Sequence, residues 1–196
     1  MELETRRLLL RPLRDDDAPA MARALNNYEV AKHLSRAPFP YRLEHAEQFI
    51  ALQKGFDERS VISAIAFRAA PDELIGLVSY EFEPGDAHAE FGYWLHEACW
   101  GMHIMSEAAT TLVAHAFGAG EVEELRSGFW NPVSGRILRG LGFEETHKAS
   151  IFSAVLNRDT PAVKLRLSRV MWAKRYNQQA FRTSSSPLAG EVACEA

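Results

Sequence analysis

The chain has 196 residues, of which 47% are hydrophobic and 24% charged, close to the average for a globular protein. A domain of this length buries a core without disulfides or metals, so the composition excludes a mini-protein, a collagen-like chain and a wholly disordered chain. The formal net charge is only −4, from 22 Lys plus Arg and 26 Asp plus Glu. No overall basic field is therefore present to hold nucleic acid or an anionic membrane.

The cysteines and the apolar runs predict a cytoplasmic protein. Cys99 and Cys194 lie far apart and outside any CxxC motif, which suits a reducing compartment. The N-terminus begins with acidic residues and lacks an apolar h-region, so no secretory signal is expected. Apolar runs such as Val61–Phe67 are far shorter than the roughly 18 residues of a membrane-spanning helix.

The first sixty residues predict one strand and two helices. Residues 8–13 form the strand, which ends at a proline. Asp15–Asp17 supply carboxylates for the start of a helix that ends at about Asn26. Apolar residues recur at helical spacing over 43–56 and predict the second helix, while residues 38–40, with two prolines, are irregular.

The middle of the chain is rich in strands. Strands over Val61–Phe67, 74–82 and 88–95, separated by short turns, predict antiparallel hairpins. A helix with one apolar face follows over 102–117. The remaining predicted elements are a strand over 124–130, a helix over Pro132–Leu141, and strands over 143–148 and 162–169. Hairpins followed by a βαβα unit predict an α+β fold with a mixed sheet flanked by helices.

The composition changes after residue 172. Residues 173–196 include a serine-rich stretch with little to bury, so they are predicted to form a flexible C-terminal tail. The sequence thus predicts one domain over 1–172 and a tail over 173–196.

Common catalytic motifs are missing. We find no Walker-type phosphate loop, no GxSxG elbow and no GxGxxG fingerprint. His96 and Glu97 begin like a zinc-protease HExxH motif, but Trp100 stands at the second ligand position, so no metal site is predicted. The turn from strand 88–95 into the following helix contains Gly101, and it is either an anion site or an ordinary strand–helix turn.

Four segments share their order and spacing with one known family. Residues 5–13 are TRRLLLRPL, like the opening T-x-R-L-x-L-R-P-L, and residues 89–95 are AEFGYWL, like the strand A-E-x-G-Y-W-L. Residues 100–108 are WGMHIMSEA, like the loop W-G-x-G-Y-A-T-E-A, and residues 131–143 follow N-x-x-S-x-R-x-L-x-x-L-G-F. The chain therefore resembles the GNAT superfamily of acetyl-CoA-dependent N-acetyltransferases, and most of all its RimJ/RimL-type branch of ribosomal-protein N-terminal acetyltransferases.

The resemblance implies a mostly antiparallel sheet whose middle strands splay apart, so that the pantetheine arm of acetyl-CoA bonds to a strand edge like an added strand. By resemblance these strands are 88–95 and 124–130, and the main chain around Trp94 and Leu95 would hold the pantetheine. The pyrophosphate would lie on a loop and helix start made by Trp100, Gly101, Met102, His103, Ile104, Met105 and Ser106.

The resemblance also implies the catalytic candidates. Glu90 would act through a water as the base that neutralises the attacking amine, or it is a solvent-facing residue or ion-pair partner. Ser134 would protonate or hydrogen-bond the leaving sulfur, or it caps its helix. Asn131 would lie near the thioester and caps the same helix as readily. Tyr93 and Tyr80 are reserve acids or packing residues of the sheet.

The chain departs from the family pattern in its phosphate loop. His103 stands where the family has a second glycine, and a positive φ there would cost on the order of 1 kcal/mol. Its ring would either obstruct the phosphate or, when protonated, pair with it. Met102 stands where a basic residue is common, and Cys99 where an aromatic one is usual. With little positive charge to spare, main-chain N–H groups must hold the phosphates.

The sequence therefore predicts an N-acetyltransferase that moves the acetyl group of acetyl-CoA to a primary amine by direct attack, without a metal. The acceptor is a protein N-terminus or a small amine, and Glu81, Glu83 and Asp86 either attract a cationic acceptor or form a solvated turn. Neither nucleic acid nor membrane is expected as a partner, and the resemblance allows a homodimer. The alternative is a non-catalytic binding or sensor protein of the same fold, whose cofactor binding His103 has weakened.

Overall fold

The computed structural model describes residues 1–83, 85–120 and 122–184, without the side chains of 54 and 177–184. Its strands are β1 (Leu3–Glu4), β2 (Leu8–Pro12), β3 (Val61–Phe67), β4 (Gly76–Phe82), β5 (Ala89–Leu95), β6 (Glu124–Phe129), β7 (Glu144–Ser153) and β8 (Arg158–Ser168). Its helices are α1 (Ala18–Leu25), α2 (Tyr28–Ala31), α3 (Leu43–Leu52), α4 (Ile104–Gly118), α5 (Pro132–Leu141) and α6 (Arg169–Ser184).

Within the described residues, the strands form one 8-stranded sheet in the order β1-β2-β3-β4-β5-β6-β8-β7. Neighbouring strands are antiparallel except β5 and β6, which run parallel. The crossover between those two strands is α4, as a parallel connection requires. The predicted α+β fold with a mostly antiparallel mixed sheet is confirmed.

Helices cover both faces of the sheet because successive strand residues point to opposite sides. Ile65 and Val78 belong to the hydrophobic cluster that includes α4 and α5. Their neighbours Ala64 and Leu77 belong to a second cluster with α1 and α3. The sheet is therefore the middle of three layers. In the part of the chain that the structure describes, no helix has the length and apolar character needed to cross a membrane.

The hairpin of β7 and β8 is longer than predicted. The sequence predicts strands over 143–148 and 162–169, whereas β7 continues to Ser153 and β8 begins at Arg158. Side chains along most of β7 are exposed, so they show no alternation of apolar and polar residues. The strand is held instead by its antiparallel ladder with β8, which runs as far as Ser153 and Arg158.

Regular structure continues past the predicted domain boundary at residue 172. Helix α6 crosses this boundary, because its first turns pack against the domain. The ring of Trp172 lies 6.3 Å from that of Phe117 in α4, and Arg175 Nη2 donates to the carbonyl of Gly140 in α5 at 2.7 Å. Residues 185–196 of the predicted tail lie outside the described residues.

A buried ion pair joins the sheet to the layer of α1. Arg11 on β2 is 0% exposed and Asp17, just before α1, is 2% exposed. Two bonds of 2.8 and 2.7 Å join the guanidinium to the two carboxylate oxygens. Arg11 Nε also donates to the carbonyl of Pro71, and Asp17 accepts from the N–H of Arg14. The pair thus fixes the start of α1 against β2.

Removing one member of this pair should destabilise the fold strongly. Asp17→Asn leaves the guanidinium buried without its counter-charge, so the free energy of unfolding should fall by about 3–5 kcal/mol. Asp72→Asn is the control, because it removes the exposed pair with Arg14 but leaves the buried carboxylate of Asp17 in place, and it should cost less than about 1 kcal/mol. Urea denaturation measures both, and equal effects of the two variants would contradict a structural role for the buried pair.

Candidate active site

The parallel strands β5 and β6 separate soon after they meet. They pair only at Ala89 with Leu125 and at Glu90 with Arg126. Just beyond, the hydroxyl of Ser127 donates to the carbonyl of Phe91 across the opening gap, at 2.9 Å and buried. The splay that the resemblance predicts between these strands is therefore present, with Ser127 at its narrow end.

The main chain of every second residue of β5 faces this gap. The carbonyl of Phe91 accepts from Ser127 and that of Leu95 accepts from Trp100 Nε1 at 2.9 Å, whereas His96 N–H donates toward β4. By alternation, the N–H and carbonyl of Tyr93 face the gap, and those of Trp94 face β4. The strand edge that faces the gap is thus provided by the N–H and carbonyl of Tyr93 and by the N–H of Leu95, whereas the main chain of Trp94 faces β4.

A cavity of about 820 Å³ lies where the strands separate. It is lined by residues of β4 and β5, of β6 with α5, of α1 with α3, of the segment 33–38, and by Ile151 of β7 and Lys164 of β8. Of the predicted residues, it is lined by Glu90, Trp94, Asn131 and Ser134. The remaining predicted residues, which do not line the cavity, are Leu95, Trp100, Gly101, Met102, His103, Ile104, Met105 and Ser106.

Glu90 projects from β5 into this cavity. Its side chain is 46% exposed and its Oε1 lies 3.4 Å from Lys164 Nζ on β8. Burial raises the pKa of Glu90 above the ordinary value, although Lys164 favours the charged form. Glu90 is therefore both a cavity residue and an ion-pair partner. Its raised pKa brings it closer to the range of a general base.

Tyr93 and α5 meet at the far side of the gap. The Tyr93 hydroxyl donates to the carbonyl of Ser134 at 3.2 Å, and burial raises the pKa of Tyr93 to about 12. The phenol is therefore a stable donor at neutral pH. Asn131 caps α5, since its Oδ1 accepts from Val133 N–H at 2.9 Å. Tyr80 is 3% exposed and packs in the core.

Two residues in the loop after β5 have the positive φ that glycine adopts most readily. Gly101 has φ +75° and His103 has φ +59°, both in the left-handed region. His103 thus takes the conformation of the glycine that it replaces, which costs an L-residue roughly 1–2 kcal/mol. Helix α4 begins directly afterwards without a side-chain cap. The first N–H groups of a helix have no partner within it, so those of Ile104, Met105 and Ser106 are open to an anion.

The N-terminal segment fastens this loop. Arg7 Nη2 donates to the carbonyl of Met102 at 3.0 Å and lies 2.8 Å from the carboxylate of Glu107 in α4. The Thr5 hydroxyl donates to the same carboxylate. The sequence alone predicts no role for Thr5 or Arg7. Their fixed positions in the opening motif are the only sequence feature that marks them.

Three further cavity residues have no counterpart among the sequence predictions. Ser79, Lys164 and His33 line the cavity with no motif to mark them, because only the folded sheet brings them together. Within the described residues, no group of three or more His, Cys, Asp or Glu side chains is arranged to hold a metal ion.

Comparison with known proteins agrees with this geometry. Residues 7–144 match the family described as the acetyltransferase (GNAT) domain. Over 75 residues the chain is 37% identical to a ribosomal-protein-serine acetyltransferase of Escherichia coli, a match spanning 37% of this chain and 42% of that protein. It is 28% identical over 151 residues to the uncharacterized N-acetyltransferase YoaA of Bacillus subtilis, which covers 73% of this chain and 82% of the relative.

A solved RimL ribosomal-protein acetyltransferase in complex with coenzyme A shares the fold. The TM-score is 0.73 at 19% identity, covering 86% of this chain and 98% of the other. The family match extends from Arg7 through the loop before α4 and through α5 to the start of β7. On this match the chain belongs to the GNAT family of acetyltransferases.

Proposed function

We propose that the protein transfers the acetyl group of acetyl-CoA to a primary amine, either a protein N-terminus or a small amine. The observation that carries this proposal is the gap between β5 and β6, which opens into a cavity lined by Glu90, Tyr93 and Ser134. The names of the acetyltransferase relatives support it, and so does the coenzyme A held by the RimL structure.

The residues at the gap fit the donor. Pantetheine carries amide groups, and the main-chain N–H and carbonyl of Tyr93 and the N–H of Leu95 would pair with them as with a strand. The N–H groups of Ile104, Met105 and Ser106 would hold the pyrophosphate beside a loop made by Trp100, Gly101, Met102 and His103. Acetyl-CoA supplies an activated acetyl thioester, so the protein needs no covalent nucleophile.

The side chains around the cavity supply the proton transfers. Glu90 would take a proton from the amine, through a water, so that the nitrogen lone pair is free to attack. The Ser134 hydroxyl would donate a hydrogen bond toward the sulfur or the carbonyl oxygen, and the Tyr93 hydroxyl, which donates to the carbonyl of Ser134, would help to position it. Asn131 would keep the start of α5, and with it Ser134, in place by capping.

Titration calorimetry with acetyl-CoA, paired with a thiol-release assay over a panel of primary amines, tests the proposal. We expect saturable binding, with thiol released only when an amine is present. No binding at millimolar acetyl-CoA would overturn the enzyme assignment. Binding without turnover on any amine would instead favour the non-catalytic alternative, a binding or sensor protein.

Glu90→Gln should reduce kcat/KM at neutral pH by about 10²-fold or more, with little change in the affinity for acetyl-CoA. In wild type, activity should fall as pH decreases through the raised pKa of Glu90, because only the carboxylate accepts a proton. The variant should lose this acidic limb. Glu145→Gln removes an exposed pair with Arg139 and serves as the control of equal charge change. An unchanged pH profile in Glu90→Gln would remove Glu90 from the mechanism.

His103→Gly should bind acetyl-CoA more tightly, because the ring no longer crowds the phosphate loop, while relief of the positive φ should stabilise the fold. His103→Asn is the matched control, since asparagine tolerates the left-handed region but lacks the imidazole. Calorimetric titration of both variants separates backbone strain from the ring. Weaker binding by both would show instead that the imidazole is a phosphate ligand.

A further inference from the structure

The turn before α4 is held from outside by one arginine. Arg7 Nη2 donates to the carbonyl of Met102 at 3.0 Å, and among the residues that the structure describes no other side chain forms a hydrogen bond with residues 101–103. Gly101 and His103, on either side of Met102, both have a positive φ. An L-residue keeps such a conformation only when the contacts around it maintain it. The shape of this turn therefore depends on Arg7.

Arg7 is anchored by the sheet directly before β2. Its carbonyl accepts from the N–H of Arg68 at 2.9 Å, and the next residue, Leu8, is buried and pairs with Phe67 of β3. The side chain of Arg7 is only 33% exposed, and its Nε donates to Glu107 Oε2 at 2.8 Å. The end of a paired strand therefore fixes the guanidinium between the turn and α4.

The bond from Arg7 also sets the direction of the next N–H group. A peptide unit is planar and trans, so the carbonyl of Met102 and the N–H of His103 point in opposite directions. With the carbonyl turned toward Arg7, the N–H of His103 points away from it, and no described residue accepts a hydrogen bond from that N–H. Successive N–H groups in turns of this kind line a concavity that binds anions.

Arg7 also compensates a negative charge in the first turn of α4. Glu107 directly follows Ser106, whose N–H is open, so its carboxylate would repel an anion bound there. Burial acts to raise the pKa of Glu107, but hydrogen bonds from Thr5 and Arg7 lower it below its ordinary value, and the carboxylate is charged at pH 7. Without the guanidinium of Arg7, 2.8 Å away, this charge would be uncompensated.

From these contacts we infer that Arg7 is a positioning residue for the donor: it directs the N–H of His103 toward the pyrophosphate of acetyl-CoA and compensates the charge of Glu107 beside it. The inference rests on the proposed acetyl transfer and adds the N-terminal segment to the binding of the donor. Arg7 does not line the cavity in which the transfer would occur. Its removal should therefore weaken donor binding and leave kcat nearly unchanged.

Titration calorimetry with coenzyme A tests the inference without an acceptor. Arg7→Gln should raise the Kd about ten-fold or more, because the turn loses a charge-assisted bond and Glu107 loses its counter-charge. Arg7→Lys keeps the positive charge and should recover part of the affinity. Arg68→Gln is the matched control, because it removes the same charge from a side chain that contacts Thr5 and Glu4 rather than the turn, and it should change the Kd less than about two-fold. Thermal unfolding checks that each variant is folded.

A truncated donor separates this role from general support of the fold. S-acetylpantetheine carries the thioester and the pantetheine arm of acetyl-CoA but no pyrophosphate. With an amine that the wild type acetylates, Arg7→Gln should lower kcat/KM for acetyl-CoA about ten-fold or more and that for S-acetylpantetheine less than about two-fold. The kcat at saturating acetyl-CoA should stay nearly unchanged.

The outcomes separate the inference from the function on which it rests. A wild type that binds coenzyme A but acetylates no amine contradicts the proposed function, and the Kd values then decide the role of Arg7. An unchanged Kd in Arg7→Gln overturns the inference. An equal fall in kcat/KM for both donors also overturns it, because Arg7 would then support the fold as a whole. An Arg7→Lys protein that binds no better than Arg7→Gln would contradict the compensation of Glu107.

Discussion

The early end of the pairing between β5 and β6 is the constraint on which the rest of the site depends. Two residue pairs join these parallel strands, and beyond them each strand must find other partners for its polar main chain. Ser127 Oγ satisfies Phe91, and Trp100 Nε1 satisfies the carbonyl of Leu95. The main-chain groups of Tyr93 between them face the gap, where the proposed pantetheine would pair with them as an added strand does.

The surrounding structure holds the two strands apart and positions the side chains that line the cavity. Each separating strand leads into a helix, β5 into α4 and β6 into α5, and both helix starts are fixed by contacts outside the gap. Arg7 holds the loop before α4 through the carbonyl of Met102, and Asn131 caps α5. The ion pair of Arg11 and Asp17 secures the layer of α1, which forms the opposite wall of the cavity.

The sequence predicts those elements whose bounds are marked by residues within or next to the element itself. Strand β3 and helix α5 have their predicted bounds, because a short apolar run marks the strand and the capping Asn131 and Pro132 mark the start of the helix. The left-handed conformation of His103 follows from the missing glycine of a motif. The exposed β7 has no such pattern. Assigning the main chain that faces the gap to Tyr93 requires the register of β4 and β5, which only the folded sheet supplies.

The weak net charge of the chain bears on how the phosphates of the cofactor would be bound. In the proposed function, main-chain N–H groups at the start of α4, after a left-handed turn, would hold the pyrophosphate, which needs no large excess of cations. Hydrogen exchange with and without acetyl-CoA tests the central claim about the gap most directly. The account predicts slowed exchange at the amides of Tyr93, Leu95 and the first turn of α4. Binding that leaves the exchange of Tyr93 and Leu95 unchanged would contradict it.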